Sequence, residues 1–284
     1  MTGRHRKPRR LSKEGRRLLG GAALLAIFAP VTVYTLNAAI AHVQSCGTET
    51  SLTVAAAPEL APVLERFIAE GGGAPSRGSD VCADFTVTAV DSAAIGEAEA
   101  DVWIPETELW LGLPEAGLAD QWEVLEPSTA SSAVGLALPV GEDPNAITPE
   151  DSDVALDDPR QDAGSLMWIV MFGVDQDTVD GAEADGAYPV MSAPEVAMHN
   201  TEEGDDLQVP SGAAQVGQFE YPMLVSAGLG DDKREAAANL VRSYGSPEYD
   251  DLLTQNGFGM ALPEPPRRGD TAVETALASW DSYA

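Results

Sequence analysis

Positive charge is nearly missing from this chain once its first 17 residues are passed. The sequence has 284 residues with 16 Lys and Arg against 46 Asp and Glu. Eight of the basic residues (Arg4, Arg6, Lys7, Arg9, Arg10, Lys13, Arg16 and Arg17) lie before residue 18, so the rest of the chain carries 8 basic against 45 acidic residues, a net of −37. A body this acidic excludes a nucleic-acid backbone or an anionic membrane surface as its partner. Histidine is as scarce. His199 is the only one beyond residue 42, in a segment that reads as a polar turn. The chain has no nucleophile elbow, no paired metal-binding histidines, no phosphate loop and no CxxC. Acid pairs are plentiful, but among 45 acids they discriminate nothing. These absences leave little for triad or metal chemistry, and no enzyme, catalytic residue, cofactor or metal is expected. The set Asp175, Asp177, Asp180 and Asp185 is one residue off EF-hand spacing and lacks the terminal Glu and flanking helices. With hydrophobic residues at 44 % and charged residues at 22 %, wholesale disorder is excluded as well.

What is present begins with the basic head. Residues 18–40 contain no charged side chain and are mostly apolar, long enough to cross a bilayer. The cations before the run belong on the cytoplasmic side and the C-terminal body outside. Residues 1–17 thus read as a cytoplasmic tail and 18–43 as a single-pass anchor in the cell membrane. Ala39-Ile40-Ala41 also resembles a signal-peptidase site, so a cleaved signal stands as the second reading; both export the body. The two cysteines, Cys46 and Cys82, lie in the exported part, where a bridge is permitted. Each stands just before a strand-like segment, SLTVAAA (51–57) and ADFTVTAV (83–90). Were those strands parallel neighbours, a bridge closing the loop would add about 4 kcal/mol.

The body reads as alternating strands and helices. Leu52–Ala56 is a short apolar strand, and Pro58 suits a first helical position. Leu60, Val63, Leu64, Phe67 and Ile68 come next at helical spacing until Gly71-Gly72-Gly73. Phe85–Val90 is a second strand, making a right-handed crossover and a parallel sheet. Val102–Ile104 is a third, followed by a helical turn from Glu108 that carries Trp110; Trp103 and Trp110 read as core. Val134–Leu138 and Val154–Leu156 are further strands, and Ser165–Val174 is an apolar helix. Glu220–Val225 is a strand. Helices are expected on Ala237, Leu240, Val241 and Tyr244, on Tyr249, Leu252 and Leu253 after Ser246-Pro247, and on Val273, Ala276, Leu277 and Trp280.

In order, the segments LTVAAAPELAPVLERF (52–67), DVWIPETELWL (101–111), VALDDPRQDAGSL (154–166), EYPMLVSAG (220–228), SPEYDDLLTQNGFGMALPE (246–264) and ALASW (276–280) resemble the extracellular substrate-binding domains of actinobacterial membrane proteins. Those have the two-lobed type 2 periplasmic-binding-protein fold and often precede a von Willebrand A domain. The resemblance implies an α/β fold with mostly parallel sheets flanked by helices. It implies lobe one from 46–135 and 215–284, and lobe two from 136–214. A small ligand (an oxyanion, a sugar or an amino-acid-like solute) would sit between the lobes, held by hinge closure. Ligands of such sheets lie outside the carboxyl ends of the strands. That points to three loops, Ala56-Ala57-Pro58, Pro105-Glu106-Thr107 and Gln161–Ser165, with Ala57, Pro58, Glu106, Thr107, Gly164 and Ser165 as the ligand residues, Ser131, Ser132 and Tyr221 flanking the crossing segments and Ser192 in lobe two. The first and last of those loops would offer free amides at a helix start, suited to an anionic or polar ligand. Against an anion stands the −37 body, which repels it at long range. The family's small-Ser-Pro turn is Ala57-Pro58 here, and its acidic-Ser pair is Glu106-Thr107. The missing hydroxyl leaves open a second function, a degenerate scaffold for protein–protein contact at the cell surface. A von Willebrand A domain or a transporter would be the partner.

Overall fold

A computed structural model of the chain describes residues 47–76, 79–114, 116–143, 145–149, 152–176, 178, 186–209, 211–263 and 270–283. The expected anchor, Cys46 and the acidic residues Asp177, Asp180 and Asp185 lie outside the described residues. No helix among the described residues is long and apolar enough to cross a membrane.

Two mixed sheets organise the body. In the first, β1 (Thr48–Ala56) is central, with β2 (Val81–Ala89) and β3 (Val102–Ile104) parallel to it on either side. Val54, Ala55 and Ala56 are almost wholly buried, as a strand covered on both faces requires. The parallel register sets Glu49 opposite Cys82, which is buried and is not a free thiol. Beyond β3 the sheet turns antiparallel through β11 (Met223–Ser226) and β4 (Trp122–Glu126). The second sheet has the order β10 (Gln215–Phe219), β5 (Ser132–Leu136), β8 (Tyr188–Ser192), β7 (Val154–Ala155), and only its last pair is parallel. A small ribbon joins β6 (Leu138–Pro139) to β9 (Leu207–Gln208).

The sheets are therefore mixed, not mostly parallel as expected, and chain path gives the reason. The chain leaves the first sheet after β4 and enters β5, then returns along β10 and re-enters as β11. An outgoing and a returning strand that lie side by side must run antiparallel. Both crossings are tied down. Thr129 donates to the Tyr221 carbonyl from its amide (3.0 Å) and its hydroxyl (2.7 Å), and the Tyr221 amide donates to the Glu106 carbonyl (3.0 Å). Tyr221 has φ +45°, the one left-handed non-glycine residue described. Such a conformation costs about 1–3 kcal/mol and persists only where its surroundings over-determine it.

Helices follow the apolar spacing. Helix α1 (Ala61–Ala69) buries Ala61, Val63, Leu64 and Phe67. It begins three residues after Pro58, because the Ala57 carbonyl accepts from both Leu60 and Ala61 and the chain turns there first. After the single turn of α2 (Leu118–Gln121), α3 (Ala163–Phe172) is apolar all round and α4 (Ala193–Glu203) is amphipathic. His199 lies on α4, not in a turn, with Nε2 2.9 Å from Asp205 Oδ2. The cause is a capping box: Ser192 Oγ accepts from the Glu195 amide while the Glu195 carboxylate accepts from the Ser192 amide. Helices α5 (Asp231–Tyr244), α6 (Pro247–Gln255) and α7 (Asp270–Tyr283) complete the body. Phe67, Tyr244 and Tyr249 cluster where α1, α5 and α6 meet, with Tyr249 4.7 Å from each of the other two ring centroids.

Candidate functional site

The carboxyl ends of β1, β2 and β3 all open on one cavity of about 240 Å³. From the first sheet, its wall is Pro58 and Glu59 after β1, Asp91 and Ser92 after β2, and Glu106 and Trp110 after β3. The opposing wall comes from the second sheet: Gln161, Asp162 and Ala163 at the start of α3, and Glu195 and Met198 on α4. None of these residues is Lys or Arg.

Four carboxylates face this space with fixed partners. Tyr221 donates its hydroxyl to Glu59 Oε1 (2.9 Å) and lies 3.2 Å from Ser132 Oγ. Trp110 Nε1 donates to Glu106 Oε2 (2.9 Å). Asp162 caps α3, its Oδ1 accepting from the Ser165 amide (2.6 Å), and Glu195 is the reciprocal partner in the α4 capping box. Burial dominates their titration, because a charged carboxylate here loses its water. It pushes Glu59 up to about 8, with the Glu106 and Glu195 charges adding to the shift. Glu195 also rises to about 8, by burial and then by the charges of Asp162 and Glu106. Burial raises Glu106 too, although the Ser92 hydroxyl, its own amide and Trp110 offset part of the rise. Asp162 is raised by burial against the opposing bonds from Ser165. Tyr221 is pushed well above its ordinary value by burial and by Glu59. Ser92 is 2 % exposed, and its hydroxyl makes no hydrogen bond of proper geometry, although it lies near enough to Glu106 to ease its charge.

Of the residues and loops named from the sequence, Pro58, Glu106 and the first three residues of the Gln161–Ser165 loop line this cavity. Tyr221 and Ser132 stand one layer behind, positioning Glu59. The others are engaged elsewhere. Ala57 is fully buried, its amide on the Ile104 carbonyl. Thr107 donates to Glu220 Oε1 (3.0 Å), and Ser131 donates to the Met260 carbonyl (2.7 Å). Ser165 Oγ accepts from the Asp157 amide (2.9 Å), and Ser192 is the α4 cap. Gly164 presses α3 onto β8, for a Cβ there would sit 2.0 Å from the Val190 carbonyl oxygen. The amide expected to be free at the start of α3 is thus taken by Asp162, and the Glu59 backbone amide lies against its own carboxylate. Asp175 Oδ1 accepts from the amide and hydroxyl of Thr178.

Glu59 and Glu195 do not stand out in the sequence, and Asp162 is reached there only as part of the Gln161–Ser165 loop. Each has a local signal, as the residue after Pro58, as an Asp three residues before Ser165, and as the Glu of an S-x-x-E box.

No family model and no curated protein matches the sequence. Solved structures do match in fold. Iron-bound HitA from Pseudomonas aeruginosa aligns over 82 % of this chain and 97 % of its own, at 14 % identity and a TM-score of 0.50. The sulfate-binding protein SubI from Mycobacterium tuberculosis H37Rv aligns over 83 % and 92 %, at 17 % identity and a TM-score of 0.49. A periplasmic thiamin binding protein aligns over 82 % and 94 %, at 13 % identity and a TM-score of 0.49. The body is thus an α/β fold of mixed sheets and helices, similar in fold to HitA.

Proposed function

We propose that the chain is a membrane-tethered extracellular solute-binding protein. Residues 18–43 anchor it, with residues 1–17 in the cytoplasm and the body outside. Lobe one, 46–135 with 215–284, and lobe two, 136–214, hold a small polar ligand and close on it by hinge motion at the crossing segments. The observation that carries this reading is the cavity between Glu59 and Glu106 on one side and Asp162 and Glu195 on the other, the place where open α/β sheets take their ligands. The similarity in fold to solute-binding structures supports it. Cys46 and Cys82 pair in a disulfide. This last point is supported by Cys82 not being a free thiol.

Thermal-shift screening of the exported body against oxyanions, sugars, amino acids and amines tests the reading. A solute at 100 times its dissociation constant stabilises the protein by about 2.7 kcal/mol. The internally satisfied Thr107, Ser131, Ser165 and Ser192 favour the second reading, a binding-protein-like scaffold for a partner such as a von Willebrand A domain or a transporter. A screen with no shift in any class favours the scaffold.

A further inference from the structure

We propose that the cavity selects a small organic cation carrying more than one N–H donor, an ammonium or guanidinium compound, with Glu59, Glu106, Asp162 and Glu195 as its acceptors and Ser92 as an added polar contact. This rests on the solute-binding reading and narrows it.

Three independent features converge. First, the acidity of the cavity is one-sided: carboxyls enter from both sheets and, among the described residues, no Lys or Arg lines it. Ionising such buried carboxyls without a partner is expensive, and an incoming cation supplies the partner the chain withholds. Second, the Ser92 hydroxyl is buried on the cavity wall beside the Glu106 carboxylate, in no well-formed hydrogen bond. A buried hydroxyl so weakly engaged has capacity for a further bond, and a ligand is what the cavity can bring. Third, the body at −37 draws cations toward the site and repels anions.

Size and spacing refine the class. About 240 Å³ falls below the range of roughly 300–1,000 Å³ typical of drug-sized ligands, which suits a molecule of few heavy atoms. Among the described residues, no three His, Cys, Asp or Glu side chains converge on a metal position. Acceptors spread around a cavity match several N–H groups better than a single ion. An oxyanion is disfavoured, since Asp162 and Glu195 occupy the helix starts that would have held it.

Binding should be linked to protons. The groups facing the cavity or one another are Glu59, Asp91, Glu106, Asp162 and Glu195, with Asp157 behind Asp162 and Tyr221 behind Glu59. Burial raises Glu59 and Glu195 to about 8, so at neutral pH a cation must displace protons from them to be bound.

The experiment is calorimetric titration of the exported body at pH 7 with agmatine and with 1,4-diaminobutane, in two buffers of different ionisation enthalpy. Sodium sulfate, glucose, glutamine and manganese chloride are run alongside. The expected result is binding of at least one diamine with proton release, affinity rising from pH 6 to pH 8, and a loss of about 10- to 100-fold in Glu106→Gln. Glu195→Gln supplies the same readout if Glu106→Gln fails to fold. Binding of sulfate, glucose, glutamine or manganese without the diamines overturns the cation assignment and leaves the solute-binding reading standing. Diamine binding with no proton release, or unchanged in both variants, also overturns it. No binding by any compound removes both.

Discussion

Acidic side chains meet the first sheet at both of its ends, and the two ends are treated oppositely. Asp101, just before β3, has its carboxylate matched twice: Lys233 Nζ lies 2.7 Å from both oxygens, and the Thr53 amide donates to it at 3.1 Å. At the other end of the same strands, Glu59 and Glu106 face Asp162 and Glu195 with hydrogen bonds but without a cation. The body has only eight basic residues to place; Lys233 and Arg234 stand at the structural end, on Asp101 and Glu123, and among the described residues none lines the cavity. The contrast shows that the cavity is not acidic because the fold lacks a way to neutralise carboxylates there. Its imbalance is a property of the site.

The largest effect separating the two ends is expected from pH. Carboxyls whose folded values are raised to about 8 bind more protons folded than unfolded across the window from about pH 4.5 to 8. The stabilisation they give is complete below the unfolded value and is lost as pH rises through that window, by up to about 1.4 kcal/mol per pH unit for each group. Melting temperature of the ligand-free body should therefore fall from pH 5 to pH 8. Glu195→Gln, which mimics the protonated acid, should flatten the fall, and an unchanged slope would show that Glu195 takes no part in it. Next is Gly164→Ala. Its Cβ would meet the Val190 carbonyl oxygen and drive α3, with Asp162, away from β8. A loss of about 3 kcal/mol is expected in denaturant melts, together with weakened binding at the cavity. Asp101→Ala strips Lys233 and the Thr53 amide of their acceptor at the matched end. It should cost about 2 kcal/mol and leave the pH slope intact, because the slope belongs to the other end. The smallest effect is Tyr221→Phe, expected at about 1 kcal/mol. It frees Glu59 and should show as a change in the pH dependence of melting more than in its midpoint at pH 5.

Much of the first sheet is legible in the sequence, because its strands are short apolar runs and its helices carry i, i+3, i+4 stripes: Leu52–Ala56 lies within β1, and Val102–Ile104 is β3. The second sheet is harder to read. The polar segment around His199 suggests a turn where the chain forms α4, although Ser192 and Glu195 spell a capping box and Gly204 ends the helix with φ +79°. Strand β4 escapes a search for apolar runs because Trp122–Glu126 is charged at two of five positions, as an edge strand can be. The sense of pairing beyond β3 is not legible, since it depends on which strands carry the chain out and back. The cavity shows the same pattern. Glu106 and Pro58 can be named from the ends of apolar strands. Asp162 is reached only as part of a loop, and Glu59 and Glu195 are hidden among 45 acids; what distinguishes the three is burial against one another, and that exists only once the two sheets face.

Asp162 and Glu195 have two duties, because each also holds the first turn of a helix. A mutation that removed either side chain to suit a new solute would fray α3 or α4 at the same stroke, at about 1 kcal/mol for a lost cap. Glu59 and Glu106 have no such tie, since neither caps a helix. Evolution or a protein engineer seeking to retune what the cavity accepts therefore has freedom on one wall and little on the other.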